Sequence, residues 1–299
     1  MSRIVILGSG GRLGAALARA WSAAGDQITG FAHADLDLAD SDGVRRALHP
    51  LSFDLLVNCA ALTNVDYCET HPDEAQRINA NAVRVIGEIC AAKGVRCIHI
   101  STDYVFAGDR RLPYAEEDPA EPISAYGASK RAGEIALLET SDRHLSVRVS
   151  WVFGPDRPSF VDQILQRAQS HETAQAIDDK WAVPTFTADA ATLLSPFLVA
   201  IPAGGLLHLC NTGECTWREY GEFAIRCAMD AGIPMKTATV APQRMADLKA
   251  FIAKRPPYTV MSTAKLTQLS GQQPRSWQQA VEEYVRSSWA PRQRLQAQQ

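Results

Sequence analysis

The stretch that most constrains this chain is the run 3–7, Arg-Ile-Val-Ile-Leu, followed at once by Gly8-Ser9-Gly10-Gly11-Arg12-Leu13-Gly14. A short β-branched run reads as a buried strand, and glycines this dense read as a turn that brings backbone close to something. A helical pattern over 15–24 follows and stops at Gly25. Strand, glycine turn and helix together predict the first unit of a parallel sheet that binds a dinucleotide. Gly8 permits the tight turn, Gly11 lets the backbone approach a pyrophosphate, and Gly14 lets the helix pack on the sheet with its first amides toward the phosphates. Arg12 and Leu13 lie in the same turn, where Arg12 adds charge near the phosphates. The spacing is G-x-x-G-x-x-G, and Gly10 leaves the register open; a glycine turn with no ligand is the bland alternative.

The pattern then repeats. Apolar strands are expected at 27–33, 53–59, 95–101 and 145–153, with helices at 41–49 and 73–93, the second stopped by Gly94. Such alternation predicts an α/β fold, a Rossmann-type doubly wound parallel sheet with helices on both faces. Later helices are expected at 160–169, 187–200, 217–232, 263–269 and 277–289, with strands at 174–177 and 205–211 and a frayed polar tail from Arg292 to Gln299. Trp217, Tyr220, Phe223, Ala224 and Cys227 form a helical stripe that reads as core.

Ligand contacts should sit at the carboxyl ends of the strands. An Asp or Glu after the second strand would favour NAD, and an Arg would favour NADP. This chain has His33, with Asp35 and Asp37 just beyond, so the preference between NADPH and NADH stays open. His33 suits a ribose hydroxyl or a phosphate, or it is a surface loop residue; Asp37-Leu38 would cover the adenine edge. Asn58-Cys59-Ala60-Ala61 supplies small side chains that leave room for a flat ligand. Asn79 and Asn81 lie inside a helical pattern, against propensity, so either makes a buried hydrogen bond or faces solvent.

Two further stretches carry chemistry. Ser101-Thr102-Asp103-Tyr104-Val105-Phe106 ends the fourth strand and offers a hydroxyl to a carbonyl oxygen. Tyr126-Gly127-Ala128-Ser129-Lys130 places a phenol and an ammonium one helical turn apart. A free phenol has a pKa of about 10, and a nearby cation lowers it. Such a pair can protonate a ketone oxygen as hydride reaches the carbonyl carbon; alternatively it marks a solvated helix face.

Composition narrows the partners. The net charge of -3 gives no reason to expect nucleic acid, and no 18-residue apolar span predicts a membrane helix. The start of the chain does not read as a signal peptide, because the apolar run after Arg3 is too short. The seven cysteines include no C-x-x-C pair, which fits a reduced, cytoplasmic chain without disulfides or zinc.

In their order and spacing, Gly8/Gly11/Gly14, Asn58-Cys59-Ala60-Ala61, the Ser101-to-Phe106 run and Tyr126-x-x-x-Lys130 resemble the extended short-chain dehydrogenase/reductase family. Val65-Asp66 with Glu69, and Ser150-Trp151-Val152-Phe153, narrow the resemblance to dTDP-4-dehydrorhamnose reductases. The resemblance implies Thr102, Tyr126 and Lys130 as catalytic residues, with Tyr126 and Lys130 also against the cofactor. It implies Asp103, Tyr104, Val105, Phe106 and Trp151 near the sugar of a nucleotide-sugar substrate; Trp151 would otherwise be core. It implies a dinucleotide-binding part over 1–153 and a smaller substrate-binding lobe over 154–299, with segments near 174–212 returning to the first. Arg255, on the proline-stiffened run Arg255-Pro256-Pro257-Tyr258-Thr259, suits a pyrophosphate or is an exposed basic turn.

Some family members bind magnesium through a glutamate in the first helix. Ala15-Ala16-Leu17 stands there, so no metal is expected. The oligomeric state is left open, a homodimer being one arrangement. The activity implied is NAD(P)H-dependent reduction of a nucleotide-linked 4-keto-6-deoxyhexose, giving dTDP-L-rhamnose for polysaccharide synthesis. Two rivals stand beside it. One is an epimerase or dehydratase of the same fold on another nucleotide sugar; the other is a non-catalytic NADP-binding regulatory subunit.

Overall fold

The computed structural model describes residues 1–198 and 204–297. Its centre is a six-stranded parallel sheet of β1 (Arg3–Leu7), β2 (Gln27–Phe31), β3 (Leu55–Asn58), β4 (Arg96–Thr102), β5 (Leu145–Val149) and, much later in the chain, β10 (Gly205–His208). The spatial order is β10-β5-β4-β3-β1-β2, and every neighbouring pair is parallel. The chain leaves β1 toward β2 and returns on the other side to β3. The switch point therefore lies between β1 and β3, where an open parallel sheet has its crevice.

Helices cover both faces, so each central strand is apolar on both sides. Ile4 and Ile6 of β1 pack under α1 (Arg12–Ala23) and α8 (Thr187–Leu194). Val5 and Leu7, on alternate positions, pack under α2 (Ser41–Leu48) and α5 (Ala82–Ala92). Between them lie α3 (Val65–Thr70) and α4 (Pro72–Gln76). The helix expected at 73–93 is one run whose middle, Arg77–Asn81, is a π turn. Then α6 (Ala125–Leu138) leads into β5.

The apolar run 145–153 is not one strand. It breaks at Ser150-Trp151, where Trp151 takes φ 40, a left-handed conformation rare for a bulky residue. It resumes as β6 (Val152–Phe153), which pairs with β9 (Thr185–Phe186). Beyond lie α7 (Phe160–Ser170), β7 (Ala174–Ile177), β8 (Trp181–Ala182), β11 (Cys215–Thr216), α9 (Trp217–Asp230) and β12 (Val240–Gln243). The chain closes with α10 (Ala264–Ser270), α11 (Trp277–Tyr284) and α12 (Ala290–Ala297). Their shared core includes Leu165, Tyr220, Ala224, Val281 and Tyr284.

Two expectations need correction. The helix expected over 187–200 leaves α-geometry after Leu194, turns as a 3₁₀ segment over Ser195–Phe197, and its last two positions lie outside the described residues. Of the tail expected to fray from Arg292 to Gln299, the part through Ala297 is helical, and the last two positions lie outside the described residues. Arg292 ties it down, donating to Tyr284 Oη at 2.8 Å and to Pro155 O at 3.2 Å.

Candidate active site

A cleft of about 840 Å³ opens at the carboxyl edge of the sheet, over the β1–β3 switch point. One wall is the glycine turn. Gly8 has φ +78, and a Cβ there would stand 2.7 Å from Ala60 N. A Cβ on Gly14 would overlap Gly8 O. Gly8 therefore requires glycine for both conformation and close approach, and Gly14 for close approach alone. Gly11 caps α1 without a side-chain bond, and the first turn carries no acid. Its amides are left for an anion. Cys59, Ala60 and Ala61 continue the lining beside Gly8, and His33, Asp37 and Leu38 lie along the same cleft. Asp35, between them, turns back to accept from Ala32 N at 2.8 Å. The cradle and its donors fit a dinucleotide.

Arg12 and Leu13 line this cleft too, but the Arg12 guanidinium is spent on the far loop. It donates to Arg157 O at 3.1 Å and to Pro158 O. Arg157 Nε reciprocates on Gly10 O at 3.0 Å. The two arginines clasp the 154–159 loop to the glycine turn.

At the end of β4, Thr102 caps a short 3₁₀ turn by accepting from Tyr104 N at 3.2 Å. Opposite, Ser124 caps α6 and Glu69 accepts from Ala125 N at 2.9 Å, which sets Tyr126 in the first turn of the helix. Close packing seats α6 here, because a Cβ on Gly127 would overlap Tyr104 O and one on Gly133 would overlap Asn79 O. Asn79, in the π turn, is fully buried. It accepts from Leu62 N at 2.8 Å and donates to Leu62 O and to Ser129 Oγ, both at 3.0 Å. Thr102, Tyr126 and Lys130 thus come together on the cleft wall.

Their electrostatics differ from the simple expectation. Burial pushes the Tyr126 hydroxyl above its ordinary value, while its bond with the Thr102 hydroxyl pulls the other way. The phenol is held as an acid. Lys130 is buried and lowered to about 8 by desolvation, against the raising effect of Glu134 and Cys59. Its amine donates to Ile100 O at 2.7 Å and lies 3.1 Å from His99 Nε2.

Asp103 is buried beside Thr102 and accepts from Thr259 Oγ1 at 2.6 Å, Ser150 Oγ at 2.9 Å and Thr102 Oγ1 at 3.1 Å. Burial raises its pKa; the charge of Lys180 pulls it down. Lys180 is itself buried, lowered to about 8 by desolvation. It donates to Pro256 O at 2.7 Å and stands 4.8 Å over the Tyr104 ring. Tyr104 and Trp151 line the cleft. Trp151 also borders a second hollow of about 200 Å³, walled by Phe160, Trp217 and Tyr220. The stripe on α9 is therefore core that also faces this hollow.

Three residues grouped with the substrate contacts sit elsewhere. Val105 and Phe106 are fully buried. Phe106 stacks on Tyr114 with ring centroids 4.1 Å apart, so the pair supports the loop from behind. Arg255 is paired with Asp66, NH1 to Oδ1 at 2.7 Å and NH2 to Oδ2 at 2.5 Å. Asp66 also accepts from Ile252 N and Ala253 N. The arginine that suited a phosphate is a staple between α3 and the distal loop. Sequence reasoning missed Asn58, His99 and Lys180 as buried polar groups around the site. The signal for His99 was a histidine between Ile98 and Ile100 in the strand Arg96–Thr102.

Comparison with known proteins agrees with this geometry. Residues 2–289 match the model of the RmlD substrate binding domain. The chain belongs to this family, within the extended short-chain dehydrogenase/reductases. Among its relatives, the spore coat polysaccharide biosynthesis protein SpsK of Bacillus subtilis is 32% identical, over 95% of this chain and 97% of that one. A dTDP-4-dehydrorhamnose reductase of Streptomyces griseus is 33% identical, over 94% and 92%. The crystal structure of dTDP-4-dehydrorhamnose reductase from Bacillus anthracis in complex with NADP superposes with a TM-score of 0.88 at 29% identity, covering 95% of this chain and 98% of that one.

Proposed function

We propose that this RmlD-family member is an NAD(P)H-dependent reductase of the 4-keto group of a nucleotide-linked 6-deoxyhexose, namely dTDP-4-dehydrorhamnose, and that its product is dTDP-L-rhamnose. The observation that carries the reading is the meeting of Thr102 and Tyr126 hydroxyls on the wall of a glycine-lined dinucleotide cleft. Gly8, Gly11, Gly14 and the open amides of α1 would hold the pyrophosphate of the cofactor. His33, Asp37 and Leu38 would border its adenosine, with Cys59, Ala60 and Ala61 along its length. Bound there, the reduced nicotinamide supplies the hydride.

The chain's own residues do the rest. Once the Thr102 hydroxyl turns its single proton from Asp103 to the ketone oxygen, Thr102 and Tyr126 fix that oxygen with two hydroxyls and stabilise charge developing on it. Tyr126, kept protonated by burial, gives its proton to that oxygen. Lys130 stabilises the phenolate left behind. Trp151, held at a strained φ of 40 between the two hollows, packs on the sugar with Tyr104. Asp103, Ser150 and Thr259 brace the Thr102 turn from behind.

All seven cysteines are unpaired, which supports a reducing, cytoplasmic setting. A homodimer is the oligomer this reading adopts from the family resemblance; sedimentation of the purified chain tests it. The functional test is consumption of NADPH and NADH with dTDP-4-keto-6-deoxyhexose and a 3,5-epimerase, with Tyr126→Phe beside wild type. Turnover that collapses in the variant supports the reading. Turnover unchanged in the variant overturns the role of Tyr126. Product formed with no net loss of reduced cofactor would instead identify an epimerase or dehydratase.

A further inference from the structure

Behind the Tyr126 helix, buried polar groups from two strands form a chain whose hydrogens do not fit an ammonium at Lys130. Ala60 N–H donates to Asn58 Oδ1 at 3.0 Å and so fixes which way the amide faces. The other end of that amide, Nδ2, can only donate, and it stands 3.2 Å from His99 Nδ1. His99 must accept there, so the single proton of its neutral ring is on Nε2. That nitrogen is 3.1 Å from Lys130 Nζ. Asn58, His99 and Lys130 are at most 1% exposed, so solvent does not relieve a mismatch.

Each rearrangement that would welcome an ammonium fails. Turning the amide over sets Asn58 Nδ2 against Ala60 N–H. Moving the ring proton to Nδ1 sets it against Asn58 Nδ2. A doubly protonated ring does the same. Every choice leaves two buried donors face to face, which costs the desolvation of an unmade hydrogen bond. A neutral amine has no such conflict. One N–H goes to Ile100 O, 2.7 Å away, the lone pair takes His99 Nε2–H, and one N–H remains.

We propose that His99 is a positioning residue which, as a donor wired through Asn58, favours the neutral amine of Lys130 and so makes the Lys130 ammonium a stronger acid. Its use in turnover rests on the reductase reading. Once Tyr126 has given its proton to the substrate oxygen, an N–H bond of the Lys130 ammonium breaks and an O–H bond forms on the phenolate. Phenol and amine are left, both neutral, and the amine lone pair accepts from His99. A proton from solvent then reloads Lys130 through the cleft.

The other titratable groups facing Lys130 do not reverse this. Glu134, on the same helix, favours the ammonium, but its carboxylate is engaged by Arg148 and Arg131. Cys59, after β3, also favours the ammonium, yet burial holds it as a thiol, its pKa raised to about 12. Tyr126 is neutral until it reacts. His99 is kept neutral by burial first and by the lysine second.

The test reads Lys130 directly in the cofactor-free chain, by the pH titration of its ¹³Cε resonance, assigned with Lys130→Met. Asn58→Asp keeps an oxygen for Ala60 N–H and turns Nδ2 into an acceptor. His99 then carries its proton on Nδ1 and presents a lone pair to the ammonium. The Lys130 midpoint should rise by about one pH unit or more, tenfold in proton affinity. In Asn58→Asp/His99→Phe the carboxylate stays and the wire is cut, so most of that rise should vanish. The ¹⁵N shifts of the wild-type His99 ring need no variant and should show Nδ1 bare and Nε2 protonated. A proton on Nδ1 in wild type, an unmoved midpoint in Asn58→Asp, or a rise that persists in the double variant overturns the proposal. If wild type consumes neither nicotinamide, the reductase reading fails while these readouts still decide the wiring.

Discussion

Glu134 offers the sharpest test of what holds the catalytic helix in place. Its side chain is 0% exposed and that of Arg148, on β5, is 1% exposed. Arg148 Nε and NH2 reach the two carboxylate oxygens at 2.8 Å each, and Arg131 adds a bond at 2.9 Å. Burial, the largest single influence, pushes the carboxyl pKa up; the bonds and charge of Arg148, with Ser101 and Arg131, together outweigh it and hold Glu134 below its ordinary value. Glu134→Gln keeps the shape but leaves the Arg148 charge buried without its counterion. Removing one partner of such a pair costs about 3–5 kcal/mol, and the retained amide oxygen places this variant near the lower end. For a chain of 299 residues that corresponds to a fall in Tm on the order of 5 °C. Urea unfolding followed by tryptophan fluorescence measures it. Glu134→Leu/Arg148→Met, apolar at both positions, should recover most of the loss, because it leaves no unpaired charge. A cost below about 1 kcal/mol for Glu134→Gln, or a double variant less stable than the single, would refute the reasoning.

Other outcomes follow from the same structure. Tyr126→Phe should lower kcat by about 10²–10⁴-fold with the fold intact by circular dichroism, and Thr102→Val should lower it less. Gly14→Ala should abolish NADPH binding, read by quenching of tryptophan fluorescence, because its Cβ would overlap Gly8 O and part α1 from the turn. Asp66 is held at about 2, first by its bonds from Arg255. A depressed carboxylate contributes fully above its unfolded value of about 3.9 and loses that contribution as pH falls toward the folded value. Arg255→Leu should therefore cost stability at neutral pH, on the order of 2 kcal/mol, and the deficit should shrink between about pH 4 and pH 2. A deficit independent of pH would refute the staple.

The cradle of α1 and the clasp at its rim are built differently. Glycine spacing makes the cradle, because only backbone without Cβ can close Gly8 against Ala60. The clasp is made by Arg12 and Arg157, whose guanidinia each take a backbone carbonyl of the other's loop.

What the sequence by itself determined is what depends on neighbours along the chain. β1, the glycine turn, α1 and the alternating elements after them are local patterns of period 2 and 3.6, readable without a partner. The same holds for Tyr126 and Lys130, since one helical turn sets their spacing. Tertiary structure decided everything that depends on what stands across a gap. Arg255 looked free for a phosphate until Asp66, far back in the chain, was packed against it. Val105 and Phe106 share a motif with Tyr104, yet the chain turns at Asp103 and sends them into the core. The 145–153 run looks continuous because apolarity does not report φ, and the break at Trp151 is set by the pairing of β6 with β9. The tail, polar enough to fray, is helical through Ala297 because Arg292 finds Tyr284 and Pro155. Most of all, the lysine that local spacing placed beside a phenol meets His99 of β4, which in turn meets Asn58 of β3. A buried group's protonation follows the donors and acceptors around it, and those come together only when the sheet forms.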